Sequence, residues 1–409
     1  MITLLPLTLI LWPFSIGVFN SQIVGVFISL VVIFIKNYSN NINFFKFPFF
    51  SALWYFLLLI ILIISIFFQD ENSEITKFLY YIILIPFLFY LASIYEGFLN
   101  KDNNFTDIVK VFYTAVPFVI FCVIELIFPS FREFVGPYFS TEAARHVIES
   151  GFSGNSFRNL GWTGFLFADY SVALSFTALG ILIFKKTPTL FSLFFEFSCV
   201  FLALIAGRSS LPIIFIYIII SFVYRFNLLR IFSQFAIVFF SVIYIFNKYG
   251  SYFFIWMLEP FYRYLEEGDF SSGSVNETKV QFEDFFNSIN SLDDYNFLGD
   301  GVYFSSNFSY AGLNIVAGDS GFIRIYHAVG LIGLLCFLFM WFSILLRVFY
   351  SLLKNKEYLV EVKLFLIFFM LYGFVFFFKS EWLYQKFFIF ISFYFYHRIY
   401  RTFRINNFA

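Results

Sequence analysis

The residues best suited to chemistry are polar side chains that lie next to long apolar runs. Arg208 lies between two such runs, with Gly207 before it and Ser209 and Ser210 after it. A guanidinium is always charged, and its planar set of donors fits phosphate oxygens. The glycine lets the backbone come close, and the hydroxyls can donate further hydrogen bonds. The turn therefore predicts an anion site. An arginine that only anchors helix ends at a membrane surface would occupy the same position.

A second candidate site is the segment Arg158-Asn159-Leu160-Gly161-Trp162-Thr163-Gly164, which leads into an apolar run at Asp169. It combines a cation, an aromatic plate and glycines where the chain enters that run. Arg158 is expected to bind an anion, and Trp162 is expected to stack on a sugar ring. The alternative for Trp162 is the interfacial belt in which tryptophans are enriched at membrane surfaces.

A third candidate begins at Asp319 and continues into an apolar run. Ser320, Arg324 and His327 are four and three residues apart, so they share one face of a helix. A polar stripe that enters an apolar helix indicates a wet cavity or a partner. Two further acids, Glu125 and Glu196, lie inside apolar runs, where each is expected either to be functional or to pair with a polar neighbour.

Several chemistries lack the residues they need. The sequence contains no P-loop and no HExxH motif, and its three histidines are far apart. The three cysteines lie in apolar runs without CxxC spacing, so we expect no disulfide framework and no metal site. Gly318-Asp319-Ser320-Gly321 resembles a serine protease loop only superficially, because it opens an apolar helix. We therefore expect no metal and no cofactor.

The elements that must position these residues are membrane helices. The 409 residues are 61% hydrophobic, 26% aromatic and 13% charged, whereas soluble domains are about 25% charged. This composition predicts an all-α polytopic integral membrane protein. The formal net charge is zero, so nucleic acid is not an expected partner. No Lys or Arg precedes the first apolar run, which argues against a cleaved signal peptide.

Apolar runs between polar breaks predict about twelve membrane helices. They cover residues 2–19, 23–36, 49–68, 77–95, 108–128, 166–184, 190–206, 211–224, 232–247, 328–346, 364–378 and 387–397. Short loops rich in Lys and Arg alternate with two large polar regions, 129–165 and 248–318. By the positive-inside rule the basic loops and both termini are cytoplasmic, and the large regions are periplasmic. We expect a single polytopic domain, residues 1–409.

The ordered motifs resemble the O-antigen polymerase family, within the superfamily that it shares with O-antigen ligases. The similarity is carried by Arg158 to Gly161, by Ala206-Gly207-Arg208-Ser209-Ser210 and by Phe297-Leu298-Gly299-Asp300-Gly301. It continues in Asp319-Ser320-Gly321 and Val329-Gly330-Leu331-Ile332-Gly333-Leu334. The first half of the chain matches only in hydropathy. Ligases tend to carry His-Asn where this chain has Asp319-Ser320, which favours a polymerase.

The resemblance implies a metal-independent glycosyltransferase in the bacterial inner membrane, acting at the periplasmic face. Its expected partners are undecaprenyl-pyrophosphate-linked oligosaccharide, membrane lipid and, as a further candidate, a chain-length regulator protein. Arg208 and Arg158 would hold the donor pyrophosphate, and Asp319, or alternatively Asp169, would accept the acceptor proton. The expected substrate-binding residues are Arg145, Trp162, Ser209, Ser210, Arg263, Ser320, Arg324 and His327. The alternatives are an O-antigen ligase and a lipid-linked oligosaccharide flippase.

Overall fold

The computed structural model describes most of the apolar runs and small parts of the polar regions. The described residues are 4–16, 19–39, 48–67, 75–99, 107–139, 161, 168–223, 230–232, 235, 239, 243, 264–266, 279–280, 282–283, 297–299, 301, 320–354, 360–380 and 382–408. They are almost entirely helical, and the strands among them are the antiparallel pair β1 (Ser15–Ile16) and β2 (Phe19–Asn20). This confirms the predicted all-α class.

The helices follow the apolar runs of the sequence. They are α1 (Leu5–Leu11), α2 (Ser21–Ser39), α3 (Phe49–Phe67), α4 (Ile75–Leu99), α5 (Ile108–Phe112), α6 (Val116–Ile127), α7 (Pro129–Phe139), α8 (Ala168–Phe184), α9 (Leu190–Ala206), α10 (Leu211–Val223), α11 (Gly321–Lys354), α12 (Val360–Phe377) and α13 (Lys386–Phe408). Single 3₁₀ turns occupy Tyr113–Ala115, Arg208–Ser210 and Trp382–Tyr384. Helix α7 lies in a region predicted to be loop.

Five helical segments of the described chain are long and apolar enough to cross a membrane. They are Phe49–Phe67, Phe78–Leu99, Ile108–Ile127, Gly321–Leu353 and Val360–Phe377. Shorter apolar helices cover Ser21–Val32, Ala168–Phe184, Leu190–Ala206 and Arg208–Val223. The predicted helix at 232–247 lies largely outside the described residues, so about twelve spans and two periplasmic loops remain predictions.

The prediction of one helix over residues 2–19 is wrong. Helix α1 ends at Leu11, Trp12 leaves the helical region, and the chain continues into the β1–β2 hairpin. Pro13 explains the break, because a proline lacks a backbone donor and disfavours helical geometry in the residue before it. The apolar character of the run is preserved, but its hydrogen bonding is not that of one spanning helix.

Internal contacts divide the chain into two compact units that interleave in sequence. Unit 1 comprises Met1–Ile42 and Gly97–Glu259, and unit 2 comprises Asn43–Glu96 and Pro260–Ala409. In unit 1, helix α8 is the core element, since every residue from Ser171 to Phe184 is buried. Helices α5, α9 and α10 pack on it. A helix that is apolar all round requires partners on all sides, and α8 has them.

In unit 2, helix α11 packs mainly on α3 and also on α12 and α13. It is interrupted at Gly330, whose backbone angles are φ 70° and ψ −173°. A Phe377 ring carbon lies 2.7 Å from where a Cβ of Gly321 would be, and the Phe377 ring centroid is 5.7 Å from that of Phe337. Gly321 and Phe337 would be about 24 Å apart in a continuous helix. The arm before Gly330 therefore folds back on the rest of α11.

Candidate active site

The turn that carries Arg208 is held by hydrogen bonds centred on the carbonyl of Gly207. That oxygen accepts from Ser171 Oγ at 2.7 Å, from Ser210 Oγ at 2.8 Å and from the Ser210 backbone N–H at 3.2 Å. Ser210 is fully buried, and its hydroxyl also approaches the Ala203 carbonyl at 3.2 Å. Arg208 is half-buried on the first residue of the 3₁₀ turn. The backbone beneath the guanidinium is thus rigidly fixed.

The first turn of α8 lies directly against this turn. Ser209 Oγ donates to the Ala168 carbonyl at 3.4 Å. A Cβ on Gly207 would meet Ala168 Cα and Ser171 Cβ at 3.4 Å each, so the two backbones are in close contact. Asp169 lies in the same first turn and is half-buried. A carboxylate at a helix N-terminus also interacts favourably with the helix dipole. Asp169 therefore has a structural role besides any catalytic one.

Gly161, the described residue of the Arg158–Gly164 segment, contacts α6. The Gly161 N–H donates to the carboxylate of Glu125, and a Cβ there would meet Phe118 Cε2 at 2.9 Å. Phe118 in turn stacks on Tyr170, with ring centroids 5.1 Å apart. Tyr170 follows Asp169 in the first turn of α8, so within unit 1 the ring of Phe118 links Gly161 to the helix turn on which the Arg208 turn packs. The two motifs are therefore connected through α6 and the first turn of α8.

Trp12 completes this aromatic stack. Its ring lies 5.2 Å from Phe118 and 6.2 Å from Tyr170, and its Nε1 donates to Thr114 Oγ1 at 3.3 Å. The stack connects the end of α1 with α6 and α8, and its Phe118 ring also contacts Gly161. Trp12 was not among the predicted site residues, because it belonged to a predicted spanning helix. The Trp-Pro step was the signal that could have marked it as the end of a short helix.

The third predicted motif lies in unit 2, on the arm of α11 that folds back. Ser320 is fully buried and caps the arm, because its Oγ accepts from the Ile323 N–H at 3.4 Å. Arg324 is half-buried and His327 is buried, with the His327 ring 5.6 Å from that of Tyr326. The predicted helical spacing is confirmed for Arg324 and His327, whereas Ser320 precedes the helix and caps it. The helix begins at Gly321, seven residues earlier than predicted.

Phe297 and Gly299 of the long polar region pack against the break in α11. The Phe297 carbonyl accepts from the Ile332 N–H at 3.2 Å, and the Leu298 carbonyl accepts from Ser65 Oγ at 3.0 Å. A Cβ on Gly299 would lie 2.5 Å from the Gly330 nitrogen. Two motifs named in the sequence analysis thus meet in unit 2, where a loop carbonyl satisfies a donor freed by the helix break.

The buried acids inside apolar helices have partners. Glu196 Oε1 accepts from Arg230 Nη2 at 3.2 Å, and Glu196 Oε2 accepts from Tyr217 at 3.2 Å. In unit 2, Glu96 Oε1 lies 3.5 Å from Arg398 Nη1. The four charged side chains of these two pairs are at most 4% exposed. Pairing offsets the cost of burying a charge, so both pairs fit a structural role.

Five predicted site residues lie outside the described residues: Arg145, Arg158, Trp162, Arg263 and Asp319. Their roles remain predictions, as do those of Arg208, Ser209, Ser210, Ser320, Arg324 and His327. Ser210 and Ser320 make internal hydrogen bonds, which occupy Ser210 as a donor and Ser320 as an acceptor. Within the described part of the chain, no three His, Cys, Asp or Glu side chains are grouped to hold a metal ion.

Comparison with protein-family models, with curated proteins and with solved structures found no match for this chain.

Proposed function

We propose that this protein is a membrane glycosyltransferase of the O-antigen polymerase type. It would transfer a growing glycan from undecaprenyl pyrophosphate onto a new lipid-linked repeat unit at the periplasmic face of the bacterial inner membrane. The observation that supports this most is the packing of the Arg208 turn on the first turn of α8, which the rings of Tyr170 and Phe118 link to Gly161. A rigid turn with a half-buried arginine at the end of apolar helices suits a phosphate held at a bilayer surface.

The proposed reaction needs charge stabilisation and one proton acceptor. The acceptor sugar's hydroxyl oxygen attacks the anomeric carbon of the donor glycan, and the bond from that carbon to the pyrophosphate oxygen breaks. Arg208, with Arg158, would stabilise the negative charge that develops on the leaving pyrophosphate. A carboxylate would take the hydroxyl proton. Asp169 fits this role by its place in the α8 turn against which the Arg208 turn packs, and Asp319 remains the other candidate.

Deletion of the gene, followed by gel electrophoresis of the cell's lipopolysaccharide, tests the proposal. Loss of a polymerase leaves export and ligation intact, so we expect core carrying a single repeat unit and no ladder. Loss of a ligase or a flippase leaves bare core instead. Bare core in the deletion strain, restored to a ladder by the wild-type gene, would reject the polymerase activity and favour one of these alternatives.

A further inference from the structure

Helix α6 holds a buried carboxylate next to the first predicted periplasmic loop. Glu125 is 3% exposed and accepts a hydrogen bond from the Gly161 backbone N–H. Arg132 of α7 is close enough to act electrostatically on Glu125. A carboxylate inside an apolar helix is costly unless it is hydrogen-bonded. Its described hydrogen-bond partner is a backbone group of the loop.

Gly161 is also held on its other side by the same helix. Its φ is +81°, and a Cβ would meet Phe118 Cε2 at 2.9 Å and Cys122 Sγ at 3.1 Å. Phe118, Cys122 and Glu125 are four and three residues apart, so one face of α6 supplies all three contacts. This face of α6 forms a contact surface that fits a single glycine. It accepts the N–H of Gly161 and leaves no room for a side chain.

We infer that Glu125 is a positioning residue for the proposed site, acting through Gly161. Gly161 is three residues after Arg158 and one before Trp162, so fixing it restricts where both side chains can lie. A carboxyl group at this position suits the task because its oxygens can accept the hydrogen bond of the amide. The inference rests on the proposed function for the roles of Arg158 and Trp162, but the anchoring of Gly161 can be tested without it.

The first readout is the labelling rate of a cysteine at position 159 by a membrane-impermeant maleimide in spheroplasts. The native cysteines are buried, so the chain without the introduced cysteine gives the background. We expect Glu125→Met to change the labelling rate of Asn159→Cys severalfold, because the N–H of Gly161 loses its acceptor. Glu125→Gln should leave the labelling rate at the wild-type value, since the amide oxygen of glutamine can accept the same hydrogen bond. Glu125→Asp keeps the charge but is one methylene shorter, and should behave like Glu125→Met.

Glu196→Met is the matched control. It also removes a buried carboxylate from unit 1, but Glu196 binds Arg230 and Tyr217 rather than the loop. Its labelling at position 159 should equal that of the wild type. If Glu125→Met does not accumulate in membranes, Glu125→Asp provides the test. The inference would be overturned by a wild-type labelling rate in Glu125→Met, or in Glu125→Asp if only that variant accumulates. It would also be overturned if Glu196→Met changed the labelling rate at position 159 as much as the Glu125 variant does.

The second readout is polysaccharide chain length, measured without the introduced cysteine. Misplacement of catalytic groups by about 1 Å costs on the order of a hundredfold in rate. We therefore expect short ladders from Glu125→Met and full ladders from Glu125→Gln at equal membrane abundance. A full ladder from Glu125→Met would overturn the positioning role. If labelling changes as expected but deletion of the wild-type gene leaves bare core, the anchor stands and the proposed polymerase function fails.

Discussion

Arg208 presents its side chain from a backbone that has little freedom to move. The carbonyl before it accepts three hydrogen bonds, and the turn packs on the first turn of α8. A snorkelling arginine needs only a flexible aliphatic stem, and it does not need a backbone turn that is fixed in this way. A bidentate phosphate ligand does benefit from a fixed turn, because a planar guanidinium makes two parallel hydrogen bonds only when its direction is fixed.

Arg208→Lys distinguishes these two roles. If Arg208 binds phosphate through its fork, Lys should be nearly as damaging as Ala, because an ammonium keeps the charge but loses the planar pairing. Loss of such a donor costs about 3–4 kcal/mol of transition-state stabilisation, on the order of a hundredfold or more in rate. Chain length on the lipopolysaccharide gel is the measurement, with membrane abundance checked by immunoblot. A full ladder from normally abundant Arg208→Lys would show that the arginine is only an anchor.

For single residues, the residue type predicted the need for hydrogen-bond partners better than it predicted their identity. The sequence left open whether Glu125 and Glu196 are functional or pair with polar neighbours, and it did not identify those neighbours. Glu196 pairs with a side chain, Arg230, whereas Glu125 pairs with the backbone of Gly161. Hydroxyls were equally ambiguous, because Ser210 can donate to a ligand or to its own turn. Such choices depend on distant parts of the chain, which spacing along the sequence does not contain.

At the scale of elements, apolar length predicted most helices well. Helix α3 covers Phe49–Phe67 and α9 covers Leu190–Ala206, close to the predicted 49–68 and 190–206. Hydropathy determines which residues avoid water, and a helix satisfies the backbone of any such run. It does not show where a run bends. The fold-back at Gly330 was missed for this reason, since a glycine inside an apolar run leaves hydropathy almost unchanged.

The break at Gly330 predicts a strong effect of a single methyl group. In Gly330→Ala, the Cβ would clash with the Gly299 nitrogen and the Phe297 carbonyl, at a φ of 70°. Backbone strain of this kind costs about 1–3 kcal/mol before the clash is added. We expect a clear fall in the apparent melting temperature of the detergent-purified protein, followed by tryptophan fluorescence.

Gly97→Ala is the matched control for this substitution. Gly97 lies in helix α4, and a Cβ there meets nothing within 4 Å. Alanine is favoured over glycine inside a helix by roughly 0.5–1 kcal/mol, so this variant should melt at the wild-type temperature or slightly above it. Equal melting of Gly330→Ala and the wild type would mean that the loop segment Phe297–Gly301 does not dock at the break.

At the scale of the whole molecule, the chain builds two interleaved units, and the described residues of each include a buried Glu–Arg pair. Glu196–Arg230 belongs to unit 1 and Glu96–Arg398 to unit 2. In each pair the arginine belongs to a segment that the positive-inside rule assigns to the cytoplasm. The contacts of Gly161 and Arg208 lie at ends assigned to the periplasm. This separation suits an enzyme better than an alternating-access transporter, whose ionisable groups collect at a midplane site.

The separation of the two faces can be tested by the accessibility of introduced cysteines. Single substitutions Thr141→Cys and Ser272→Cys fall in the two predicted periplasmic regions, and Asn355→Cys falls in a predicted cytoplasmic loop. In intact spheroplasts, an impermeant maleimide should label the first two and not the third. The reason is the excess of Lys and Arg in the loop around Asn355, which retains it on the cytoplasmic side. Disrupted membranes provide the control, since all three should then react. Labelling of Asn355→Cys alone in intact spheroplasts would place the Arg208 turn on the cytoplasmic side, away from a periplasmic substrate.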